Sequence, residues 1–320
     1  MRSSSFALES EDGLEVFVYR WLPEDESVRA VVQIAHGMGE HAERYERVAE
    51  RLVGEGYAVY ANDHRGHGRT AVPPDAGRAA AENLGHLADE DGWNRAVRDL
   101  YLLNRRIAKE HPRAARVLLG HSMGSLMAQQ YLTEHGDSIG AAVLSGSTGN
   151  PGSLRRIAVW IARIERLRLG RRGQSSLLRS LLFGRSNREF EPSRTEFDWL
   201  SRDRHEVARY AEDPLCGFVL TAQSLLDMFA ALGRMYAADA LESIQKELPV
   251  LIFSGEEDPI HEHGRGLERL VAGYEAAGLR NVSKRVYARG RHEMFNETNR
   301  DEVVADLLAW LEKNLVLDPG

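Results

Sequence analysis

The sequence has one cysteine, Cys216, so it cannot form an internal disulfide, which fits a reducing compartment. We expect this thiol to be a buried small hydrophobe. No run of eighteen apolar residues occurs, and the first residues lack the apolar segment of a signal peptide. These absences predict a cytoplasmic protein, with peripheral contact to a membrane left open.

The sequence has fewer basic than acidic residues, with 41 Lys and Arg and 48 Asp and Glu, which gives a net charge of -7. We therefore expect no nucleic-acid partner. The hydrophobic content of 43% over 320 residues can fill the core of one large domain or of one domain carrying an insertion. Nothing in the composition indicates an oligomeric state.

Short apolar runs alternate with helical patterns in two parts of the chain, which indicates a mostly parallel α/β sheet. Strands are predicted at 15–21, 30–35, 57–62, 117–120, 140–145, 249–255 and 282–287, and helices at 45–52, 92–111, 123–135 and 298–315. A hairpin turn is expected at Pro23. Residues 147–245 contain no convincing buried strand and interrupt the alternation. We therefore predict a core formed by 1–146 and 246–320, with 147–245 inserted above the ends of its strands.

A Gly-x-Ser-x-Gly pattern follows the strand predicted at 117–120 and leads into a helix, the sequence form of a nucleophile elbow. Small residues at Gly120 and Gly124 let strand and helix approach closely around a strained serine. Ser122 would lie at the N-terminus of the helix, where free N–H groups stabilise developing negative charge. The pattern predicts Ser122 as a nucleophile.

A serine nucleophile needs a base and a carboxylate that orients the base. In chain order these should follow later strands. Asp258 follows the strand at 249–255 and is the leading acid, with Glu257 as its rival and a turn or capping role as the alternative. His292 follows the strand at 282–287 and is the leading base.

Two backbone N–H groups should bind the oxyanion. Met123, next to the nucleophile, supplies one by position. The loop His36-Gly37-Met38-Gly39 is expected to supply the other through the Met38 N–H, and its alternative interpretation is a plain glycine-rich turn.

Two histidine pairs could suggest a metal site. They are His36 with His41 and His64 with His67. A zinc site would need further ligands that the sequence does not single out, so we predict no metal and no cofactor. Residues 63–68 are interpreted as a polar turn that braces the active-site face without a chemical step.

Arginine is concentrated in the insertion. Residues 151–190 hold ten arginines and two acids, a charge of +8, while the rest of the chain carries -15. Within this segment Leu154, Ile157, Ile161 and Ile164 share one helical face, and four arginines, Arg155, Arg156, Arg163 and Arg166, lie opposite. One interpretation is a lid helix whose apolar face packs on the core. The other is contact of the basic face with an anionic lipid or micelle surface that delivers an amphiphilic ester.

Several motifs, taken together, resemble one known family. It is the monoacylglycerol lipase and lysophospholipase group of α/β hydrolases, grouped with the serine aminopeptidase-like hydrolases. The motifs are His36-Gly37-Met38-Gly39-Glu40-His41 with Arg44-Tyr45, Asp63-His64-Arg65-Gly66-His67-Gly68, Gly120-His121-Ser122-Met123-Gly124, Gly255-Glu256-Glu257-Asp258, Gly290-Arg291-His292-Glu293 and Asp213-Pro214-Leu215-Cys216-Gly217-Phe218. The resemblance implies an α/β-hydrolase fold, with an eight-stranded sheet and a helical cap after the sixth strand. It also implies a cofactor-free triad of Ser122, Asp258 and His292.

The residues and the resemblance together predict a serine hydrolase that cleaves carboxylic esters through an acyl-enzyme on Ser122. A monoacylglycerol is the leading substrate. Lysophospholipid is the runner-up, because guanidinium groups in the insertion pair well with phosphate. Weaker alternatives are a thioesterase, a peptidase, and a binding protein that has lost the chemistry.

Overall fold

The computed structural model of the protein describes residues 1–24, 27–73 and 78–315. Its centre is an eight-stranded sheet with the order β1-β2-β4-β3-β5-β6-β7-β8. The strands are β1 Arg2–Glu9, β2 Glu15–Leu22, β3 Ala30–Ala35, β4 Tyr57–Asn62, β5 Ala115–His121, β6 Ala141–Ser145, β7 Val250–Gly255 and β8 Val282–Tyr287. β1 and β2 run antiparallel to their neighbours, and the strands from β4 to β8 are parallel.

Helices cover both faces of the sheet. The α-helices are α1 Glu46–Gly54, α2 Gly68–Ala71, α3 Gly92–Glu110, α4 Met123–His135, α5 Leu154–Leu169, α6 Ser176–Phe183, α7 Arg204–Glu212, α8 Ala222–Met235, α9 Ala238–Glu242, α10 Arg265–Ala276 and α11 Arg300–Asn314. Short 3₁₀ helices lie at Ala42–Tyr45, Arg78–Asn83, Gly136–Ser138, Arg188–Phe190, Asp198–Leu200, Pro259–His261 and Met294–Asn296.

The central strand β5 shows why the sheet is covered on both faces. Val117 and Leu119 pack on one side with Leu311 of α11, while Leu118 packs on the other side with Leu100 of α3. All five side chains are fully buried. Successive side chains of a strand point to opposite faces, so the apolar run 117–119 requires a layer on each side. Burying each such side chain stabilises the fold by about 1.5–3 kcal/mol.

Each strand predicted from the sequence is present, with ends that agree within two residues. The hairpin predicted at Pro23 is wrong. β2 forms its hairpin with the preceding strand β1, and the chain after Pro23 passes beyond β4 to β3. β1 escapes detection because its residues are mostly exposed and four of them are serine or arginine, which leaves no apolar alternation.

The carboxyl ends of β3, β5, β7 and β8 meet at one edge of the sheet, as parallel strands require. The chain between β6 and β7 contains helices α5 to α9 and no strand, and part of it lies over this edge, where the backbone N–H groups of His292 and Glu293 donate to the carbonyls of Trp199 and Leu200. Ligands of open α/β sheets bind at this edge.

Helix α5 packs on α8 through its small residues, including the buried Ala162 and the half-buried Ala158. Leu154, Ile157 and Ile164, predicted to share an apolar face, are 56–65% exposed. The interpretation that this face packs on the core is therefore wrong for these three residues. Two alanines allow the close helix contact, so the larger side chains are turned outward.

We call the exposed apolar side chains of α5 and α6 the apolar stripe. It consists of Leu154, Ile157, Trp160, Ile164 and Leu167 of α5 with Leu177 and Leu181 of α6. Their exposure ranges from 49% to 79%, and so many large exposed apolar side chains on two successive helices are typical of an interaction surface. Within the described ranges, no helix is long and apolar enough to cross a membrane.

Candidate active site

Ser122 lies at the sharp turn between β5 and α4. Its φ of 50° falls in the left-handed region, which a non-glycine residue rarely adopts. The Ser122 N–H donates to the carbonyl of Ser145 at the end of β6, at 2.9 Å, which fixes the turn against the neighbouring strand. The half-buried serine is thereby held in a strained conformation at the start of a helix.

The glycines that flank Ser122 are sterically required. A Cβ added to Gly124 would lie 2.1 Å from the carbonyl oxygen of Ala35 in β3, and one added to Gly120 would lie 2.4 Å from the carbonyl oxygen of Gly124. Both contacts are with backbone, which cannot move aside. Strand, turn and helix therefore approach as closely as the Gly-x-Ser-x-Gly pattern indicates.

Asp258 and His292 come together from the loops after β7 and β8. His292 Nδ1 lies 2.9 Å from Asp258 Oδ2, and both side chains are fully buried. Ser254 Oγ donates to the same carboxylate oxygen at 2.6 Å, and the Ile260 N–H donates to the other at 2.9 Å. The rival acid, Glu257, is half-buried, and Asp258 is the residue that contacts the imidazole.

Asp258 and His292 each favour the charged form of the other. Burial alone would lower the pKa of His292, but the adjacent Asp258 carboxylate raises it above its ordinary value. Burial would raise the pKa of Asp258, and the imidazole and the Ser254 hydroxyl instead lower it to about 2. The carboxylate thus stays ionised at neutral pH and favours the imidazolium form of His292.

The remaining nitrogen of His292, Nε2, is buried and has no hydrogen-bond partner among the described residues. His292 and Ser122 line the same cavity. Because the Nδ1 side of the ring is held by Asp258, Nε2 is the nitrogen available to accept a proton.

Met38 and Met123 line the same cavity as Ser122. Met38 follows β3 in the loop after His36, and Met123 is the first residue of α4. In this loop a Cβ added to Gly37 would lie 3.3 Å from the Cβ of Ser122, so the loop passes directly beside the serine. The predicted oxyanion residues and the predicted nucleophile are therefore brought to one place.

A buried ionic cluster ties this loop to the loop of His292. Arg44 donates to Glu40 at 2.5 Å and to both carboxylate oxygens of Glu293 at 2.7 Å. Glu40 in turn accepts a hydrogen bond from the Gly37 N–H. Arg44 lowers the pKa of Glu293 to about 2, overcoming the effect of burial. Sequence reasoning assigned no role to this cluster.

Histidines 36, 64 and 67 form a buried cluster beneath the loop. The Nε2 of His36 accepts from the His64 N–H at 3.0 Å, and the two rings lie 4.1 Å apart. Burial lowers the pKa of His64 to about 3 and that of His67 to about 4, so these rings are neutral at pH 7. The cluster braces the loop, as expected for the turn at 63–68, and it does not include His41.

Two cavities meet at Ser122, and both are also lined by Met38 and Phe183. The larger has a volume of about 740 Å³ and the smaller about 360 Å³. Apolar side chains of α4, α5, α6 and α8 form much of the larger wall, among them Leu126, Ala158, Leu182, Met228, Phe229 and Leu232. Polar groups are prominent in the smaller wall, among them Ser176, Arg179, Ser180, Asn187, Glu196 and Tyr210.

The sequence of the chain matches a known protein family. The family described as serine aminopeptidase, S33, matches residues 26–299. The chain belongs to the S33 family. Its predicted family resemblance and its predicted α/β-hydrolase fold are thereby confirmed.

Relatives of the S33 chain differ in how much of it they cover. It is 29% identical to a monoacylglycerol lipase of Mycolicibacterium smegmatis, an alignment that covers 95% of each chain. It is 30% identical to a probable lysophospholipase L2 of Haemophilus influenzae, but over 41% of this chain and 38% of that protein. A thermostable carboxyl esterase from Bacillus coagulans, solved with glycerol, superimposes with a TM-score of 0.87 and 26% identity, covering 99% of this chain and all of the other.

Proposed function

We propose that the protein hydrolyses carboxylic esters of lipid-like alcohols, with monoacylglycerols as the leading substrates, through an acyl-enzyme on Ser122. The observation that carries this proposal is the orientation of His292. Its Nδ1 faces Asp258, its Nε2 has no hydrogen-bond partner among the described residues, and the residue borders the cavity of Ser122. The full-length similarity to a monoacylglycerol lipase and the structural similarity to a carboxyl esterase support ester hydrolysis.

In the first half-reaction His292 Nε2 takes the proton of the Ser122 hydroxyl as Oγ attacks the ester carbonyl carbon. The N–H groups of Met38 and Met123 bind the resulting oxyanion. The carbon–oxygen bond to the alcohol then breaks, and His292 gives its proton to the departing oxygen. Asp258 stabilises the imidazolium throughout.

In the second half-reaction a water molecule enters where the alcohol has left. His292 takes one proton from this water, and the oxygen attacks the acyl carbon. The bond to Ser122 breaks, the serine recovers its proton from His292, and the fatty acid is released. No group besides these side chains, backbone amides and water takes part in the proposed reaction.

The two cavities are assigned to the two parts of the substrate. The acyl chain fits the larger, apolar cavity, because burying each methylene contributes about 0.8 kcal/mol. The alcohol fits the smaller cavity, where hydroxyl and amide groups of Ser180, Asn187 and Tyr210 line the wall. In this scheme 1–146 and 246–320 supply the reacting groups, and the cap, 147–245, shapes both cavities.

The smaller cavity favours an uncharged alcohol over a phosphate. Among the described residues that line it, the one arginine, Arg179, is paired with Glu196, while Glu40 and Glu293 on the same wall share Arg44. A phosphate there would find both guanidinium groups already paired, next to three carboxylates. This charge balance supports glycerol as the leaving alcohol.

Lysophospholipid remains the second candidate because of four arginines elsewhere. Arg155, Arg185, Arg188 and Arg265 line the larger cavity, where a guanidinium could pair with a phosphate if the substrate bound in the reverse direction. The two candidates differ in which cavity receives the polar head.

We also propose that the apolar stripe rests on an anionic lipid surface. Leu154 and Leu181 belong both to the stripe and to the wall of the larger cavity, so the stripe is continuous with the proposed acyl site. Arg156 and Arg163, on the same helix, supply the positive charge that attracts anionic lipid. An ester could thus pass from the lipid surface to Ser122.

Hydrolysis of a substrate panel tests the proposed function. The panel contains a p-nitrophenyl ester, a monoacylglycerol, lysophosphatidic acid and lysophosphatidylcholine, each with the same acyl chain, and compares the wild type with Ser122→Ala. We expect the highest kcat/KM on monoacylglycerol and loss of activity in the variant. Faster hydrolysis of both lysophospholipids would favour the second candidate, and ester hydrolysis that persists in Ser122→Ala would contradict the mechanism.

A further inference from the structure

Three potential metal ligands from two distant segments of the chain lie close together. His41 follows the loop 36–39, which we call the oxyanion loop, and Asp213 and Cys216 belong to one turn far along the chain. His41 Nε2 lies 2.9 Å from Asp213 Oδ2. The Cys216 sulfur and these two atoms all lie within 4.8 Å of one another. A nitrogen, an oxygen and a sulfur donor at such separations match the ligand types of zinc sites.

The local backbone presents two of these ligands from one turn. The Leu215 N–H donates to Asp213 Oδ1 at 2.8 Å, and the Cys216 N–H donates to the Asp213 carbonyl at 3.0 Å. These bonds leave Asp213 Oδ2 and the thiol directed towards His41. The carboxylate is 29% exposed and the imidazole 7%, so an ion can reach the donors from the Asp213 side.

Cys216, expected to be a buried small hydrophobe, is partly buried and packs against the apolar cluster of Trp199, Leu200 and Tyr210. Burial of the sulfur raises the pKa of the Cys216 thiol above its ordinary value. A neighbouring cation, Arg44, is already paired with Glu40 and Glu293. Asp213 therefore supplies a carboxylate whose Oδ2 is paired with the imidazole of His41.

We propose that His41, Asp213 and Cys216 form a binding site for a thiophilic divalent cation of the zinc class, with water as the fourth ligand. Tetrahedral ligands of zinc lie about 3.3–3.8 Å apart, so the donors need to move by about 1 Å. Binding releases the Cys216 thiol proton to the solvent, and the ring proton that His41 Nε2 shares with Asp213 moves to Nδ1 by exchange with solvent, so that Nε2 can bind the cation. Affinity therefore falls as the pH falls. The sequence predicted no metal site. His41 and Asp213 are 172 positions apart, so no local pattern contains both residues.

The site joins two segments that border the catalytic centre. Gly39, two residues before His41, accepts hydrogen bonds through its carbonyl from the Gly217 N–H at 2.9 Å and from the Tyr210 hydroxyl at 2.8 Å. Gly217 directly follows Cys216. A bound cation would add a strong link between the oxyanion loop and the 213–218 segment, and it should raise the melting temperature.

Cobalt titration of the full chain tests the proposal. Co²⁺ substitutes for Zn²⁺ and gives a near-ultraviolet thiolate-to-cobalt charge-transfer band. Because Cys216 is the chain's one cysteine, any such band reports this residue. We expect a band that saturates at one equivalent, disappears with excess Zn²⁺ and is absent from Cys216→Ala.

Two further variants separate a built site from a lone reactive thiol. His41→Gln and Asp213→Asn should each weaken cobalt binding at least tenfold, and His205→Gln, an exposed histidine on α7, should leave it unchanged. Melting curves without metal verify that each variant folds, and Zn²⁺ should raise the melting temperature of the wild type but not of Cys216→Ala. Absence of the band in the wild type, or a band unaffected by His41→Gln and Asp213→Asn, would overturn the proposal. Neither readout depends on ester hydrolysis.

Discussion

Asp258 has the largest effect on the charge of His292. Its carboxylate is hydrogen-bonded to Nδ1 of the imidazole, and Glu293 and Glu40 favour the protonated form to a smaller extent. The ring of His121, 4.8 Å away, is kept neutral because burial lowers its pKa to about 3. A base must be neutral to accept the serine proton, so activity should be lost as the pH falls through the raised pKa of His292.

Replacing Asp258 by asparagine should therefore change both the rate and the pH profile. Without the carboxylate the pKa of His292 falls, so the midpoint of the pH–rate profile should move to lower pH. The imidazolium also loses its stabilisation, and kcat should drop by about 10⁴-fold. Steady-state kinetics from acidic to alkaline pH measure both effects.

Glu257→Gln is the matched control, since it removes a carboxylate from the neighbouring position of the same loop. We expect a rate and a pH profile close to those of the wild type. If Glu257→Gln lost the activity and Asp258→Asn retained it, the assignment of the acid would be wrong.

Helix α4 has one glycine near its start and another just after its end, and the two differ in the space available for an added Cβ. A Cβ on Gly124 would lie 2.1 Å from the Ala35 carbonyl oxygen, whereas a Cβ on Gly136 would have nothing within 4 Å. Gly136 also has an ordinary helical φ of -59°. Gly124→Ala should lower the free energy of unfolding by about 1–3 kcal/mol or more.

Gly136→Ala should instead raise the free energy of unfolding by about 0.4–1 kcal/mol, because alanine restricts the unfolded chain. Urea unfolding of both variants gives the comparison. Equal effects of the two substitutions would show that the close approach of β3 and α4 is not what the elbow glycines permit.

The elements that position the site could be predicted because their signals are local. The apolar runs of β3, β5 and β7 and the glycines around Ser122 are each contained within a few residues. The link between Arg44 and Glu293 spans 249 positions, so no local pattern contains it. The orientation of α5 could not be predicted either, since it depends on how closely Ala158 and Ala162 approach α8.

At the scale of the whole molecule, the positive charge of 151–190 is partly neutralised by acids. The pairs are Arg168 with Glu165, Arg171 with Glu90, Arg172 with Asp89 and Arg179 with Glu196. The sequence alone shows the excess of charge but not these partners. The positive charge of Arg156 and Arg163, beside the apolar stripe, is the charge proposed to attract an anionic lipid surface.

Arg156→Gln combined with Arg163→Gln should weaken binding to anionic vesicles at least about tenfold, since each arginine near such a surface contributes about 1 kcal/mol. Sedimentation with vesicles containing phosphatidylserine measures the binding. Arg51→Gln with Lys313→Gln makes the same change in charge on α1 and α11 and should have little effect. Equal losses in both double variants would indicate a general effect of net charge and contradict docking through the stripe.

The acyl-enzyme on Ser122 is tested most directly by locating the adduct of a fluorophosphonate probe with peptide mass spectrometry. We expect a single adduct on Ser122, none in Ser122→Ala, and labelling in His292→Ala that is slower by several orders of magnitude. An adduct on another residue, or a wild type that hydrolyses esters without being labelled, would contradict the mechanism.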